Sequence, residues 1–242
     1  MRIKILLYIL ILLPSIAFAD TKSDLIQLWV DSKSLSAAEK ENQVNNFLGK
    51  LQDTKDFEDA LYTAEDLFGE PSSPYKDGNL LVGFLSYASS SPLLDEAQQQ
   101  RAAFLLEMAL KNFPGSRAAD FNFLLADGSE SSLHALPEDS KYLLIFYDPN
   151  CFDCHTVFDD IQKNPLPKGV KVLAMDAEYD LELWKQSAES LPKEWTVGFV
   201  TDPIEDDDIY VIQSTPAIYL LAPDKTVILK DASLPEVRDA LK

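Results

Sequence analysis

Between residues 20 and 113 the apolar side chains recur at spacings of three and four, which predicts amphipathic helices and no strand. Leu25, Leu28 and Trp29 form one such face, and Val44, Phe47, Leu48 and Leu51 a second. Ser36, three residues before Glu39, predicts a capping box at the start of the second helix. Phe57, Leu61, Ala64 and Leu67 continue the pattern to a stop at Gly69 and Pro71. The turn-forming stretch EPSSPYKDG follows, and NLLVGFLSYASSS and LDEAQQQRAAFLLEMALKNF predict two more helices, the second ending at Pro114-Gly115. Trp29, Tyr62, Phe68 and Tyr87 are expected in the core of this half. It contains no cysteine, no histidine and no glycine-rich phosphate loop, so it has a predicted shape but no evident chemistry.

From Gly115 the period shortens. Phe121, Phe123 and Leu125 alternate with other residues up to a turn at Asp127-Gly128, which predicts a hairpin. KYLLIFYDP is a nearly continuous apolar run with the length of a buried strand, ended by Pro149 and Asn150. CHTVFDDIQK then places Cys154, Phe158 and Ile161 on one helical stripe. VKVLAM reads as a strand and AEYDLELWKQSAESL as a helix with Leu181, Trp184 and Ala188 inward. AIYLLA and TVILK form a second hairpin around PDK, and LPEVRDALK closes as a helix with Pro235 in its first turn. Hairpin, strand, helix, strand, helix, hairpin, helix, with a parallel crossover at the centre, is an α/β order. An all-α domain at 20–114 is therefore expected before an α/β domain at 115–242.

The first residues change the picture of location. Arg2 and Lys4, an apolar run from Ile5 to Leu13, and Ala17-Phe18-Ala19 predict a secretory signal spanning 1–19. That run is shorter than the roughly 20 residues a membrane helix needs, and no later stretch is better. The mature chain is thus expected in the periplasm with no membrane span. Its length, about 223 residues, suits two domains. The formal charge of the full chain is −19, from 40 acidic and 21 basic side chains. Such a field repels phosphate backbones, which argues against a nucleic-acid partner.

Both cysteines lie in YDPNCFDCH, residues 147–155. Cys-x-x-Cys-His fits c-type haem attachment, and Cys-x-x-Cys alone fits a redox dithiol. A structural disulfide is poorly motivated, because so small a loop removes little chain entropy. Haem would need an apolar crevice and a second axial ligand, which a short helix behind a buried strand does not offer. Zinc would need further ligands beyond His134 and scattered carboxylates, so no metal is expected. PIEDDDIY, residues 203–210, lacks the glycine and spacing of a calcium loop and reads as a solvated acidic loop. Asp176, ending a strand near the motif, reads as either catalytic or a cap for the next helix. His155 reads as a solvated helix residue.

GSRAADFNFLLADGSESSLHAL, LLIFYDPNCFDC and STPAIYLLAPDKTVILK together resemble the thioredoxin superfamily, in particular its secreted TlpA/ResA-like branch, over residues 116–242. PSSPYKDGNLLVGFL, LKNFPGSRAADFNF, FYDPNCFDC and LELWKQ make the whole chain similar to secreted Bacteroidetes proteins with a helical N-terminal domain of unknown function ahead of a thioredoxin-like domain. The resemblance implies a thioredoxin-like mixed sheet flanked by helices and a thiol-disulfide oxidoreductase. It also implies a cis-proline at Thr215-Pro216 facing the cysteines. Cys151, at a helix N-terminus where unpaired N–H groups and the helix dipole favour negative charge, is expected to be the nucleophile, and Cys154 the buried resolving thiol. Thr215 and Pro216, with Asn150, Phe152 and Asp153, are expected to touch substrate.

The chain departs from thioredoxin at three points. Asn150 stands where thioredoxins have tryptophan, and neither Phe152 nor Asp153 is proline or glycine. Ile145 stands where they bury an aspartate, so no internal base for Cys154 is evident. Asp153 adds negative charge beside Cys151 and leans the centre toward a reductase or isomerase. No cofactor beyond a Cys151–Cys154 disulfide is expected. The expected substrates are secreted thiol or disulfide proteins, with an unidentified membrane or periplasmic electron donor. A second hypothesis is a non-catalytic binding protein in which the helical domain recognises a partner and the thioredoxin-like domain is a scaffold.

Overall fold

A computed structural model describes residues 21–205 and 209–242. The expected signal segment lies outside the described residues, and residues 206–208 of the acidic loop do as well. The first half folds as five α-helices: α1 (Thr21–Ser32), α2 (Ala37–Leu48), α3 (Thr54–Ala64), α4 (Gly78–Ala88) and α5 (Glu96–Leu110). Side chains cap the N-termini of α2 to α5. The Ser36–Glu39 capping box is present on α2, and Asp53, Asp77 and Asp95 cap α3, α4 and α5. The apolar stripes meet in one core around Phe57, Phe68, Leu80 and Phe84, with the Phe84 ring packed at a tilt against Phe47 and Phe68. A buried pair, Lys40 with Asp77, ties α2 to the start of α4.

Two expectations for this half are corrected. The third helix winds as a π-helical turn over Glu65–Gly69 instead of running on as α-helix. Tyr62 is 43% exposed and outside the core, with Arg101 over its ring and that guanidinium bound by both carboxylate oxygens of Glu65 at 2.8 and 2.7 Å.

The second half is a seven-stranded mixed sheet of β1 (Asn122–Leu125), β2 (Glu130–Ser132), β3 (Lys141–Tyr147), β4 (Val170–Asp176), β5 (Thr196–Val200), β6 (Ala217–Leu221) and β7 (Val227–Leu229). The order is β2-β1-β5-β4-β3-β6-β7. Helices α6 (Phe152–Lys163), α7 (Leu181–Ala188) and α8 (Leu234–Ala240) join its strands or follow them. β3 and β4 pair in parallel across α6, and β3 and β6 pair antiparallel, so β3 and β6 are both interior strands and apolar almost throughout. Alternate side chains feed two cores. Leu144, Phe146, Leu173 and Met175 pack with Phe121 and Tyr210 on one face, and Leu143, Ile145, Tyr147, Val172 and Ala174 pack under Cys154, Phe158 and Trp184 on the other.

Strand β5 is absent from the sequence-based order, yet it bridges the parallel centre to the antiparallel hairpin β1–β2. Gly198 explains the omission. A Cβ there would sit 2.7 Å from Met175 Sδ and 2.9 Å from Phe123, so a glycine that reads as a loop signal is what lets the strands close. Helix α7 is also shorter than its apolar pattern. Asp180 caps it and Tyr179 takes a positive φ of 59°, so the run from Ala177 to Asp180 is loop.

The halves meet along β7 and its flanks. Gly115, at a φ of 92° that favours glycine, donates to Val227 O at 2.8 Å, Val227 N returns a bond to Ser116 O at 2.8 Å, and Ala118 N reaches Lys225 O at 2.9 Å. Lys230 Nζ donates to Ala109 O and Lys111 O, at 3.2 and 2.7 Å, closing the C-terminus of α5. Lys76, in the turn before α4, donates to the carbonyl of Asp231.

Candidate functional site

Strand β3 delivers the chain to the C-terminal edge of the sheet, where Pro149 and Asn150 break it and α6 begins. Cys151 is the N-cap of α6, and its sulfur accepts the N–H of Cys154 at 3.1 Å. The thiol of Cys151 also lies 3.4 Å from Thr215 O, to which it donates. The peptide between Thr215 and Pro216 is cis, directly before β6. Residues 64 apart in sequence thus meet at one sulfur. Both cysteines are free thiols, Cys151 half-buried and Cys154 fully buried.

The two sulfurs differ in environment because one faces outward from the cap and the other lies on the apolar stripe of α6. Burial, and then the hydrogen bond with Cys151, push the Cys154 thiol up to about 12. Its thiolate is therefore disfavoured while Cys151 carries the neighbouring thiol. Phe152 is 80% exposed, an apolar ring standing in solvent next to Cys151 in sequence. Asn150 and Asp153 are exposed next to it, and Asn150 N–H is held by Asp148 Oδ1 at 2.7 Å. Ile145 is buried beneath Cys154 among apolar neighbours, which leaves the usual position of an internal base occupied by hydrocarbon.

A buried carboxylate does lie close by, one strand over. Asp176 ends β4, pairs in register with Tyr147, and shares the alternate-residue face of Val172 and Ala174, the face that carries Cys154. It is fully buried. One oxygen accepts Glu178 N–H at 3.0 Å, and the other has no hydrogen-bond partner among the described residues. Burial, reinforced by the carboxylates of Glu178, Asp148 and Asp180, pushes it up to about 6. The cap of α7 is Asp180 and not Asp176, so the capping reading of Asp176 is corrected. His155 is exposed, as its sequence position suggests, but its Nε2 lies 2.9 Å from Pro149 O, which pins the ring to the turn preceding the motif.

A groove of about 710 Å³ runs from this edge toward the helical half. Thr215, Pro216 and Ile218 line one side, and Trp29, Pro71 and Pro74 the other. The sequence held no direct signal for this groove, since its walls lie more than 140 residues apart. Among the described residues no cluster of histidine, cysteine and carboxylate side chains is arranged to hold a metal ion, and no helix is long and apolar enough to cross a membrane.

Neither a scan of protein-family models nor a search of curated proteins finds a match. Solved structures do match. A thioredoxin-like protein from Bacteroides caccae is 26% identical, with a TM-score of 0.85 over 91% of this chain and 82% of that one. The C-terminal domain of an uncharacterised protein from Bacteroides fragilis is 30% identical over 54% of this chain and 98% of its own, with a TM-score of 0.51. A conserved B. fragilis protein of unknown function is 33% identical over 54% and 99%, also at 0.51. With its mixed sheet, its flanking helices and its match to the B. caccae protein, the chain has a thioredoxin-like fold in its second half, with a helical region ahead of it.

Proposed function

We propose that the protein is a thiol-disulfide oxidoreductase acting in the periplasm and working in the direction of reduction or isomerisation. The observation that carries this reading is the half-buried Cys151 sulfur at the α6 N-cap, held between the Cys154 N–H and the Thr215 carbonyl, with a second thiol one turn deeper. A purely structural cysteine pair has no need of such an approach to solvent. The Cys151 thiolate attacks one sulfur of a substrate disulfide, forming a mixed disulfide and releasing the other substrate sulfur as a thiolate. Cys154 then attacks Cys151 Sγ, closing the Cys151–Cys154 disulfide and expelling the second substrate thiolate. The proton of Cys154 leaves to that departing sulfur or to water. Two electrons pass to the substrate, and a membrane or periplasmic dithiol donor returns them.

Mixed-disulfide formation removes the Cys151 thiol, and with it part of what holds the Cys154 proton in place. Burial, the larger cause, remains, so the mixed disulfide eases Cys154 toward its thiolate without fully freeing it. Thr215 and Pro216 present backbone to an extended substrate, Phe152 offers an apolar contact, and Asn150 and Asp153 flank the attack line. No cofactor is required beyond the dithiol.

Trapping tests the reading. A Cys154→Ser variant secreted in the native host should accumulate mixed disulfides that dithiothreitol releases, and a Cys151→Ser variant should accumulate none. A reduction potential below about −300 mV together with a Cys151 that resists alkylation would identify an inert bridge and sink the proposal in favour of the binding-scaffold alternative.

A further inference from the structure

We infer that the helical region supplies one wall of the substrate site, and that the groove it forms with the cis-proline segment selects an extended polypeptide with basic side chains beside its disulfide. The inference rests on the oxidoreductase reading above. Its first support is position. The groove starts at Thr215, whose carbonyl touches the Cys151 thiol, and passes Asp153 and Thr156 on α6 before reaching Pro71, Ser72 and Pro74 of the helical half. At about 710 Å³ it is within the size of sites that take ligands as large as a short peptide.

The second support is that this wall is fixed rather than loosely apposed. Ser73 Oγ donates to Leu67 O at 2.6 Å, which holds the PSSP turn on the π-helical segment. Lys76 is bonded to the Asp231 carbonyl across the junction. Trp29 is packed edge-on to Tyr75 at 5.3 Å, which leaves a rigid aromatic and two prolines as the apolar rim. A groove held at both sides is pre-formed, so a bound chain loses little to rearrangement of the protein.

The third support is charge. Asp153, Asp160 and Glu236 line the groove on the sheet side, and among the described residues Lys76 is the only basic side chain lining it; it donates to the Asp231 backbone carbonyl, and its single positive charge is outnumbered. Asp160 shares its charge with Arg238 at 2.6 Å, but the groove remains net negative in a chain of formal charge −19. An anionic small thiol such as glutathione is repelled here, and a polypeptide with lysine or arginine beside its cysteine is attracted.

The test uses the full chain carrying Cys154→Ser and three short cysteine peptides, each activated as a 2-pyridyl disulfide and bearing two lysines, two serines or two glutamates beside the cysteine. Attack by Cys151 forms the protein–peptide disulfide and expels pyridine-2-thione, whose absorbance gives the rate. The lysine peptide should react about tenfold faster than the glutamate peptide at low ionic strength, with the ratio shrinking in salt. Ser72 is exposed on the helical wall, and adding Ser72→Arg should lower that ratio at least about threefold. Neutral dithiodipyridine separates the two ways to fail. If it reacts with Cys151 while the three peptides react alike, or if Ser72→Arg leaves the ratio unchanged, the inference is overturned and the redox reading stands. If it does not react, both fall.

Discussion

The helical and sheet regions are each built around a closed aromatic core, but they treat polar groups differently. In the helical region the buried charges are matched, as Lys40 with Asp77, and among the described residues no buried side-chain polar atom lacks a hydrogen bond. In the sheet region Asp176 Oδ2 and Trp184 Nε1 do, and the strongly perturbed Cys154 thiol lies on the same sheet face as Asp176. Native folds satisfy buried polar atoms wherever nothing else is asked of them, so unsatisfied ones concentrate where a structure gives up stability for chemistry. The helical region thus has a self-satisfied core, while the unpartnered acid and the perturbed thiol lie in the sheet region, with the groove where the two meet.

The largest expected effect tests whether the two cores are independent. Phe84→Ala empties the centre of the helical core and should lower its stability by about 3–5 kcal/mol. Followed by circular dichroism, denaturant unfolding of this variant should split, with the helical transition moving and the transition reported by near-ultraviolet signals of Trp184 and Trp195 staying in place. A single transition that shifts as a whole would break the comparison by showing one cooperative unit.

Asp176 comes next. Its carboxyl titrates at about 6 in the folded protein, above the ordinary aspartate value of 3.8, so the folded state favours the protonated form. Its contribution is favourable below pH 4 and is lost as pH rises through 6. Between pH 4 and pH 8 the wild type should therefore lose about 2–3 kcal/mol relative to Asp176→Asn, measured as the difference between their unfolding free energies at the two pH values. Parallel curves for the two proteins would remove Asp176 from the strained side of the comparison.

Lys230→Met removes the cation from the last carbonyls of α5 and should lower stability by about 1 kcal/mol, read in the helical transition more than in the other. The smallest effect concerns the motif. Asp153→Asn takes an exposed carboxylate from beside Cys151 and should speed its alkylation at neutral pH by about two- to fivefold, an increment that 0.5 M salt should mostly erase.

Much of this layout is legible in the sequence, because the signals are local. The period of Phe57, Leu61 and Ala64, the Ser36–Glu39 box and the stripe of Cys154, Phe158 and Ile161 are properties of one turn or two, and all appear as read. The strand-to-helix junction holding the cysteines is legible for the same reason. What escaped depends on partners distant in sequence. Gly198 looks like a breaker until Met175 and Phe123 are seen pressing on it, and Tyr62 looks like core until Arg101 is found over it on the surface. Asp176 is similar: at a strand end it reads as either catalytic or a cap, and only its place beside Tyr147 on a covered face of the sheet makes it a buried acid. The groove is legible in neither half alone.

The link between the two regions has a consequence of its own. Strand β7 is the last in the sheet, and its outward backbone groups would be open to any extended chain. Gly115 and Ser116 take up both backbone groups of Val227 at its start, and Ala118 and Arg117 continue the pairing to Lys225 and Thr226 just before it. The connector thus serves as a border strand that denies neighbouring molecules a template for stacking. Replacing it with a flexible tether would leave each region its core yet uncover a sticky margin, so the expected penalty is self-association in concentrated solution rather than unfolding.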